Sequence, residues 1–275
     1  MEDGLKKNAK IVFQGVEGAY SHAALLSCFG KDADCFCVHS FKDAAEAVVS
    51  GQADYGVLPV ENSSAGVVSD VLALLYRYEV YVVRQVYLPV RHCLLGLEGA
   101  REEDVKTIVS HPQALMQCSD YLESRTDVRS ISMVNTAVAA RKVVEDGDIT
   151  QAAIASSTAG EIYGLKVIRE ELNNVSGNTT RFVVISGEKT FLKDAANVSI
   201  MFELPHKSGS LSHMLTYISG NGLNMTRIAS MPIPERPFEY RFLIGFEGAL
   251  CDPAVQNALG LMGSEARAFK IMGCY

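Results

Sequence analysis

Tyr55-Gly56-Val57-Leu58-Pro59-Val60 is a short apolar run that gives way at once to the polar segment Glu61-Asn62-Ser63-Ser64-Ala65-Gly66. Apolar residues then recur at Val67, Val68, Val71, Leu72, Leu74 and Leu75. The first run has the length of a buried strand, and the later spacing is that of an amphipathic helix. The same strand–loop–helix unit recurs on either side. Ala9 to Gly15 reads as a strand entering a glycine turn, with Ser21 placed to cap a helix through Ala23, Leu25 and Leu26. Ser40-Phe41-Lys42-Asp43 opens an alanine-rich helix that ends near Gly51. Ile108-Val109-Ser110, helices over 112–122 and 136–144, and the strand Ala152-Ala153-Ile154-Ala155 continue the alternation. The pattern predicts an α/β fold whose helices cover both faces of a sheet, with ligands bound in loops at the carboxyl ends of strands.

The pattern changes after residue 190. Ser186 to Asn197 is polar and reads as a linker. Beyond it, strands are expected at 198–204, 223–230, 238–246 and 266–272, and helices at 210–219 and 253–261. This βαββαβ order predicts a ferredoxin-like sandwich. One face of such a sheet is left open, a geometry that commonly pairs with a second copy.

The chain has 275 residues and a net charge of −7, which argues against a general nucleic-acid surface. An anionic substrate stays open, because one pocket can be positive on an acidic protein. MEDGLKKNAK lacks the apolar core of a leader peptide, and no run of about 18 apolar residues suggests a membrane span. A cytoplasmic protein with reduced thiols is expected, and seven cysteines, an odd number, do not suggest a disulfide framework. Cys35, Cys37 and His39 alternate along an expected strand without a second paired cluster, so no metal is expected. Gly15-Val16-Glu17-Gly18 is not a dinucleotide fingerprint, and neither a phosphate loop nor a Gly-x-Ser-x-Gly elbow occurs. No cofactor is expected.

Four polar segments border the expected strands: Gly15 to Ser21, Pro59 to Gly66, Ser110-His111-Pro112-Gln113-Ala114-Leu115, and Asn178-Thr179-Thr180-Arg181-Phe182. The first three present backbone N–H groups at helix N-termini, which favour anions. The fourth sets a hydroxyl beside a permanent cation, a pairing suited to holding a carboxylate while hydrogen-bonding a departing oxygen. Simpler readings stand beside each. Ser21, Ser63 and Ser64 could be plain helix caps, His111 a helix-start residue and Arg181 a surface residue.

Taken in order, these segments resemble the prephenate dehydratase family. The resemblance is carried by Gly15 to Ala23, Gly56 to Ser63 with Gly66, Ser110 to Leu115 with Gln117-Cys118, Ala153 to Ser156, and Thr180-Arg181-Phe182. It implies a catalytic domain over 1–190, with two α/β lobes around a cleft similar to type II periplasmic binding proteins. One lobe would take residues 10–88 plus 165–190 and the other 89–164. Residues 197–275 would form an ACT domain, a sensor of a small effector such as phenylalanine. No chorismate mutase bundle precedes the catalytic segment, so a monofunctional form is expected.

The resemblance gives Thr180 the donor role toward a leaving hydroxyl and Arg181 a carboxylate of prephenate. Asn62, Ser63, Ser110, His111, Gln113, Ser156 and Ser21 would bind substrate, and Phe182 would pack beneath. Gly209-Ser210-Leu211-Ser212 resembles the family's effector loop. Ala229-Ser230-Met231-Pro232 departs from the usual Glu-Ser-Arg-Pro, losing an acid and an arginine. A homodimer or homotetramer is expected. Arogenate dehydratase and a non-catalytic amino-acid sensor are the alternatives.

Overall fold

In the computed structural model, which describes residues 5–190 and 195–275, the strand–helix units assemble two lobes and a C-terminal unit. The first four residues of the N-terminus and 191–194 of the expected linker lie outside the described residues. The first lobe begins with β1 (Ile11–Gln14), α1 (Tyr20–Phe29), β2 (Cys35–Val38), α2 (Phe41–Val49), β3 (Tyr55–Asn62), β4 (Gly66–Val67), α3 (Ser69–Arg77) and β5 (Tyr81–Pro89). Ser40 and Asp43 form a reciprocal capping box at the start of α2, where the sequence expects a helix to open. Ser21 does not cap α1. It lies one residue inside the first turn and is buried, while His22 Nδ1 accepts the Gly18 N–H at 3.1 Å and so closes that turn.

The second lobe contains β6 (Cys93–Gly96), β7 (Thr107–Ser110), α4 (Pro112–Gln117), α5 (Ser119–Ser124), β8 (Arg129–Ser132), α6 (Thr136–Asp146), β9 (Gln151–Ala155), α7 (Ser157–Tyr163) and β10 (Lys166–Arg169). The single helix expected over 112–122 is broken at Cys118. Asn174 enters the break: its N–H donates to the Gln117 carbonyl at 2.8 Å, and its side-chain oxygen accepts from the Asp120 N–H at 3.2 Å. β10 pairs antiparallel with β6, so the chain leaves this lobe after residue 169 and not at 165 as the resemblance implies. It returns through 170–178 to β11 (Thr179–Ser186), which closes the first lobe between β3 and β5.

The two lobes share one plan. Their sheets run β5-β11-β3-β1-β2 and β10-β6-β9-β7-β8, each with a parallel trio extended at one side by one antiparallel strand (β11, β6) and then by a strand running with the trio (β5, β10). The crevice between them receives the carboxyl ends of β1, β3 and β7, which is where ligands bind in open α/β sheets.

The C-terminal unit contains β12 (Asn197–Glu203), α8 (Ser210–Gly220), β13 (Met225–Ile233), β14 (Arg236–Glu247), α9 (Pro253–Glu265) and β15 (Ala268–Cys274). Its strand order, β13-β14-β12-β15, is that of the ferredoxin-like sandwich read from the sequence. Helices α8 and α9 cover one face over Ile200, Phe202, Ile244 and Phe246. The face left open by sequence reasoning is covered from within the chain: Met201, Met231, Leu243 and Met272 share a core with Val60, Val71, Leu72 and Leu75. Polar groups brace this contact. Lys270 Nζ donates to the Leu75 and Tyr78 carbonyls at 2.8 and 2.6 Å, at the C-terminus of α3, where a cation is favoured. Glu203 is held by Arg236 and Arg241, and the Arg241 guanidinium lies 3.5 Å from the centre of the Tyr76 ring. β15 touches β5 at Gly273–Val82, joining the two sheets. Only glycine fits there, because a Cβ at position 273 would stand 2.1 Å from the Val82 carbonyl oxygen.

Candidate active site

A cavity of about 520 Å³ lies between the lobes, within the range of small-molecule sites. The first lobe contributes Ser21, Pro59, Asn62, Thr180 and Phe182, and the second His92, His111, Gln113, Gln117 and Thr136. At its floor, β3 and β11 run antiparallel and set Asn62 opposite Thr180. Asn62 is fully committed. Its oxygen accepts the N–H groups of Ser64 and Ala65, both at 2.9 Å, which fixes the amide's orientation. Its nitrogen donates to Asn178 Oδ1 at 2.8 Å and to Thr180 Oγ1 at 2.9 Å. The Thr180 oxygen is therefore an acceptor toward Asn62, and its own proton is left to a group in the cavity. Accepting one hydrogen bond strengthens the next that a hydroxyl donates. Thr180 and Asn178 are buried, so water competes poorly for these bonds.

The opposite wall is a relay of neutral groups. His92 is 2% exposed, with Nε2 2.9 Å from Gln117 Oε1 and Nδ1 3.0 Å from the Tyr20 hydroxyl. Burial pulls its pKa below the usual 6.5, against a smaller upward pull from Gln117. With Gln117 Oε1 as the acceptor, the neutral ring donates from Nε2, and the Tyr20 hydroxyl, which also lies 2.9 Å from the Arg91 carbonyl, shares its one proton between that oxygen and Nδ1. His111 caps α4 and accepts the Gln113 N–H at Nδ1, 3.2 Å away, so its Nε2 carries the proton in the neutral ring. Asn135 caps α6 by accepting from the Val138 N–H at 2.7 Å. The first turns of α1 and α6 both open on the cavity, giving it partial positive charge from two helix dipoles. Among the described residues, no Lys, Arg, Asp or Glu lines it.

His22 is buried like His92 and is likewise held below 6.5, by burial against a weaker pull from Glu17. Both rings refuse protons that the unfolded chain accepts, so their contribution to stability is constant above pH 6.5 and falls as pH drops below it. Denaturant midpoints measured from pH 7.5 to 5 should show a shallower acid loss in His92→Gln than in the parent. Equal slopes would mean that His92 is not buried in its neutral form.

Not every expected residue reaches the cavity. Ser21, Asn62, His111, Gln113, Thr180 and Phe182 line it. Ser63, Ser110 and Ser156 stand behind it: Ser63 Oγ accepts from the Thr179 N–H at 3.0 Å, and Ser110 Oγ donates to the Ile154 carbonyl at 2.5 Å. Ser156 caps α7 and reaches across the lobes to the Gly18 carbonyl at 3.3 Å. Arg181 is on the wrong face for a clamp. The strand begins at Thr179, so side chains alternate and Arg181 projects away from Thr180. There it lies 3.5 Å from the Glu61 carboxylate and over the Tyr87 ring.

Sequence reasoning missed His92 and Thr136, and it placed Tyr20 and Asn178 in its polar segments without giving either a role. The available signal for His92 was its place shortly after Val82, Val83, Val86 and Leu88, an apolar stretch that forms β5. In the C-terminal unit, Ser210 and Leu211 border a small cavity of about 100 Å³ with His206, Lys207 and Tyr240, whereas Gly209 and Ser212 do not border it. Gly209 instead takes a left-handed backbone (φ 80°) that starts α8.

A family model described as prephenate dehydratase matches residues 11–190. The chain is 36% identical to an Arabidopsis thaliana protein named arogenate dehydratase/prephenate dehydratase 1, chloroplastic, over 99% of this chain and 73% of that one. Among solved structures, prephenate dehydratase in complex with L-Phe from Arthrobacter aurescens aligns at a TM-score of 0.88 and 27% identity, covering 97% of this chain and 89% of that one. GqqA, described as a novel type of quorum quenching acylase, aligns at a TM-score of 0.88 and 30% identity, covering 97% of each chain.

Proposed function

The chain belongs to the prephenate dehydratase family, and from that premise we propose that it converts prephenate to phenylpyruvate, carbon dioxide and water, a step toward phenylalanine. The observation that carries this reading is the Thr180 hydroxyl, pinned as an acceptor by Asn62 so that its proton faces the cavity. In the reaction, the bond from the ring to its carboxylate breaks and its electrons enter the ring as carbon dioxide leaves. The bond from the opposite ring carbon to the hydroxyl breaks with them, and the dianion becomes a monoanion plus hydroxide. Thr180 hydrogen-bonds that departing oxygen, which takes up one proton, supplied in net from solvent, and leaves as water. Aromatisation supplies the driving force, so the protein's task is to orient the ring and stabilise charge on the leaving oxygen.

With Arg181 turned away, the substrate carboxylates fall to neutral donors: the first turns of α1 and α6 and the side chains of Ser21, Thr136 and Gln113. Arogenate carries an ammonium where prephenate carries a keto group. No carboxylate among the described residues lines the cavity to pair with that ammonium, which favours the keto acid. Amide hydrolysis, suggested by the acylase relative, needs a base to take the nucleophile's proton. The partner of Thr180 is an N–H donor, which does not serve that chemistry.

The C-terminal unit is read as an ACT domain in which Ser210 and Leu211 border the effector position. Its strand order and the L-Phe complex of the Arthrobacter relative support this. Met231 is committed to the contact with the first lobe, so any effector has to act without the usual arginine. A cytoplasmic homodimer or homotetramer completes the reading, and light scattering tests the assembly. The deciding experiment assays the purified chain with prephenate and with arogenate, each with and without phenylalanine. Phenylpyruvate from prephenate is the expected product. Faster turnover of arogenate would reverse the substrate assignment, and amino-acid binding without turnover of either would leave a sensor.

A further inference from the structure

Pro59 and Asn62 both line the cavity, although they stand an odd number of residues apart on one strand. Regular alternation would send Asn62 to the opposite face. The register shows how this is avoided: Arg181 pairs with Glu61 but Phe182 pairs with Pro59, leaving Val60 as an extra residue on β3. This β-bulge puts Val60 and Glu61 on the face toward the C-terminal unit and turns Asn62 toward Thr180. Bulges commonly re-aim side chains next to active sites.

One side chain from the C-terminal unit grips that bulge. Arg227 on β13 donates through Nη2 to the Val60 carbonyl at 3.4 Å, and its Nε lies 3.5 Å from the Glu61 carboxylate. Its side chain is only 10% exposed. Arg181, the neighbour of Thr180, approaches the same Glu61 oxygen at 3.5 Å. Glu61 Oε2 and the Nε atoms of both arginines make no aligned hydrogen bond, so within the cluster Glu61 is held by charge.

Building on the dehydratase reading, we propose that Arg227 is a positioning residue, holding the Val60 bulge so that Asn62 meets Thr180, and that it links the C-terminal unit to catalysis. Each catalytic residue is covalently next to a member of the cluster: Asn62 to Glu61, and Thr180 to Arg181. A displacement of β13 thus reaches both ends of the Asn62–Thr180 hydrogen bond through one side chain.

The test compares the full chain with Arg227→Met and Glu61→Gln by steady-state kinetics and by amide hydrogen exchange. The Ser63 N–H is bonded to the Thr179 carbonyl, and the Ser64 and Ala65 N–H groups to Asn62, so they report the position of Asn62 independently of activity. The expected result in each variant is about tenfold lower kcat with KM changed less than twofold, and at least tenfold faster exchange confined to 63–65. Unchanged exchange at 63–65, or acceleration spread evenly over the first lobe, overturns the proposal. If the parent itself makes no phenylpyruvate, the functional reading fails and the exchange pattern alone decides the link. Should Arg227→Met not fold, the isosteric Glu61→Gln carries the same two readouts.

Discussion

Thr180→Ala is expected to lower kcat for phenylpyruvate formation by about 10²–10⁴-fold, the usual loss when one placed proton donor is removed. Asn62 keeps Asn178 as a partner when the Thr180 hydroxyl is gone, so the free energy of unfolding should fall by only about 1 kcal/mol. Because the hydroxyl acts on an oxygen that gains charge only as it departs, KM should change little. Thr180→Ser keeps the hydroxyl and the bond from Asn62 and should recover most of the rate, whereas Thr180→Val keeps only the shape and should not. Stopped-time assays of the three variants settle the matter, and a Thr180→Val rate near the parent's would remove Thr180 from the chemistry.

The second large effect concerns the direction of a single hydrogen bond. Asn62→Asp keeps the size of the side chain and an oxygen for the Ser64 and Ala65 N–H groups. It replaces the donor facing Thr180 with a second acceptor. The Thr180 proton then turns from the cavity to the new carboxylate, and kcat should fall on the order of 100-fold. Asn178 can absorb the change, because its Nδ2 makes no hydrogen bond and can rotate to face the carboxylate. The fold should therefore survive, which circular dichroism would verify. A new negative charge beside an anionic substrate should also raise KM, and both losses should ease as pH falls and the Asp becomes protonated. An Asn62→Asp variant with parental kcat would mean that Thr180 does not depend on Asn62 for its orientation.

The sequence discloses the floor of the site better than its walls. Thr180 and Asn62 are legible because each lies where an apolar run meets a polar segment, and such boundaries fall at strand ends. Arg181 misleads for a related reason. The apolar run begins at Phe182, but β11 begins at Thr179, since backbone pairing with β5 extends past the last apolar side chain. That extension sends Arg181 to the far face. Pattern reading cannot show the bulge at Val60, because Leu58 and Val60 still look alternate and the change of face reaches only Glu61 and Asn62, both polar. Tyr20 and His92 meet only when the lobes pack, 72 positions apart in the chain. The βαββαβ unit was legible almost whole, yet its covered face was not. Met201, Met231, Leu243 and Met272 would look alike whether they faced another copy or α3.

The absence of fixed charge around the cavity, among the described residues, also shapes how a substrate arrives. The chain carries a net −7 and no Lys or Arg among the described residues lines the cavity, so a dianion approaches against a weak repulsive field. Raising the ionic strength screens that field, because the Debye length shrinks from roughly 30 Å at 0.01 M salt to about 8 Å at 0.15 M. Capture should therefore quicken with added salt, with kcat/KM rising while kcat holds steady. An enzyme that recruited its substrate through an arginine clamp would slow under the same change.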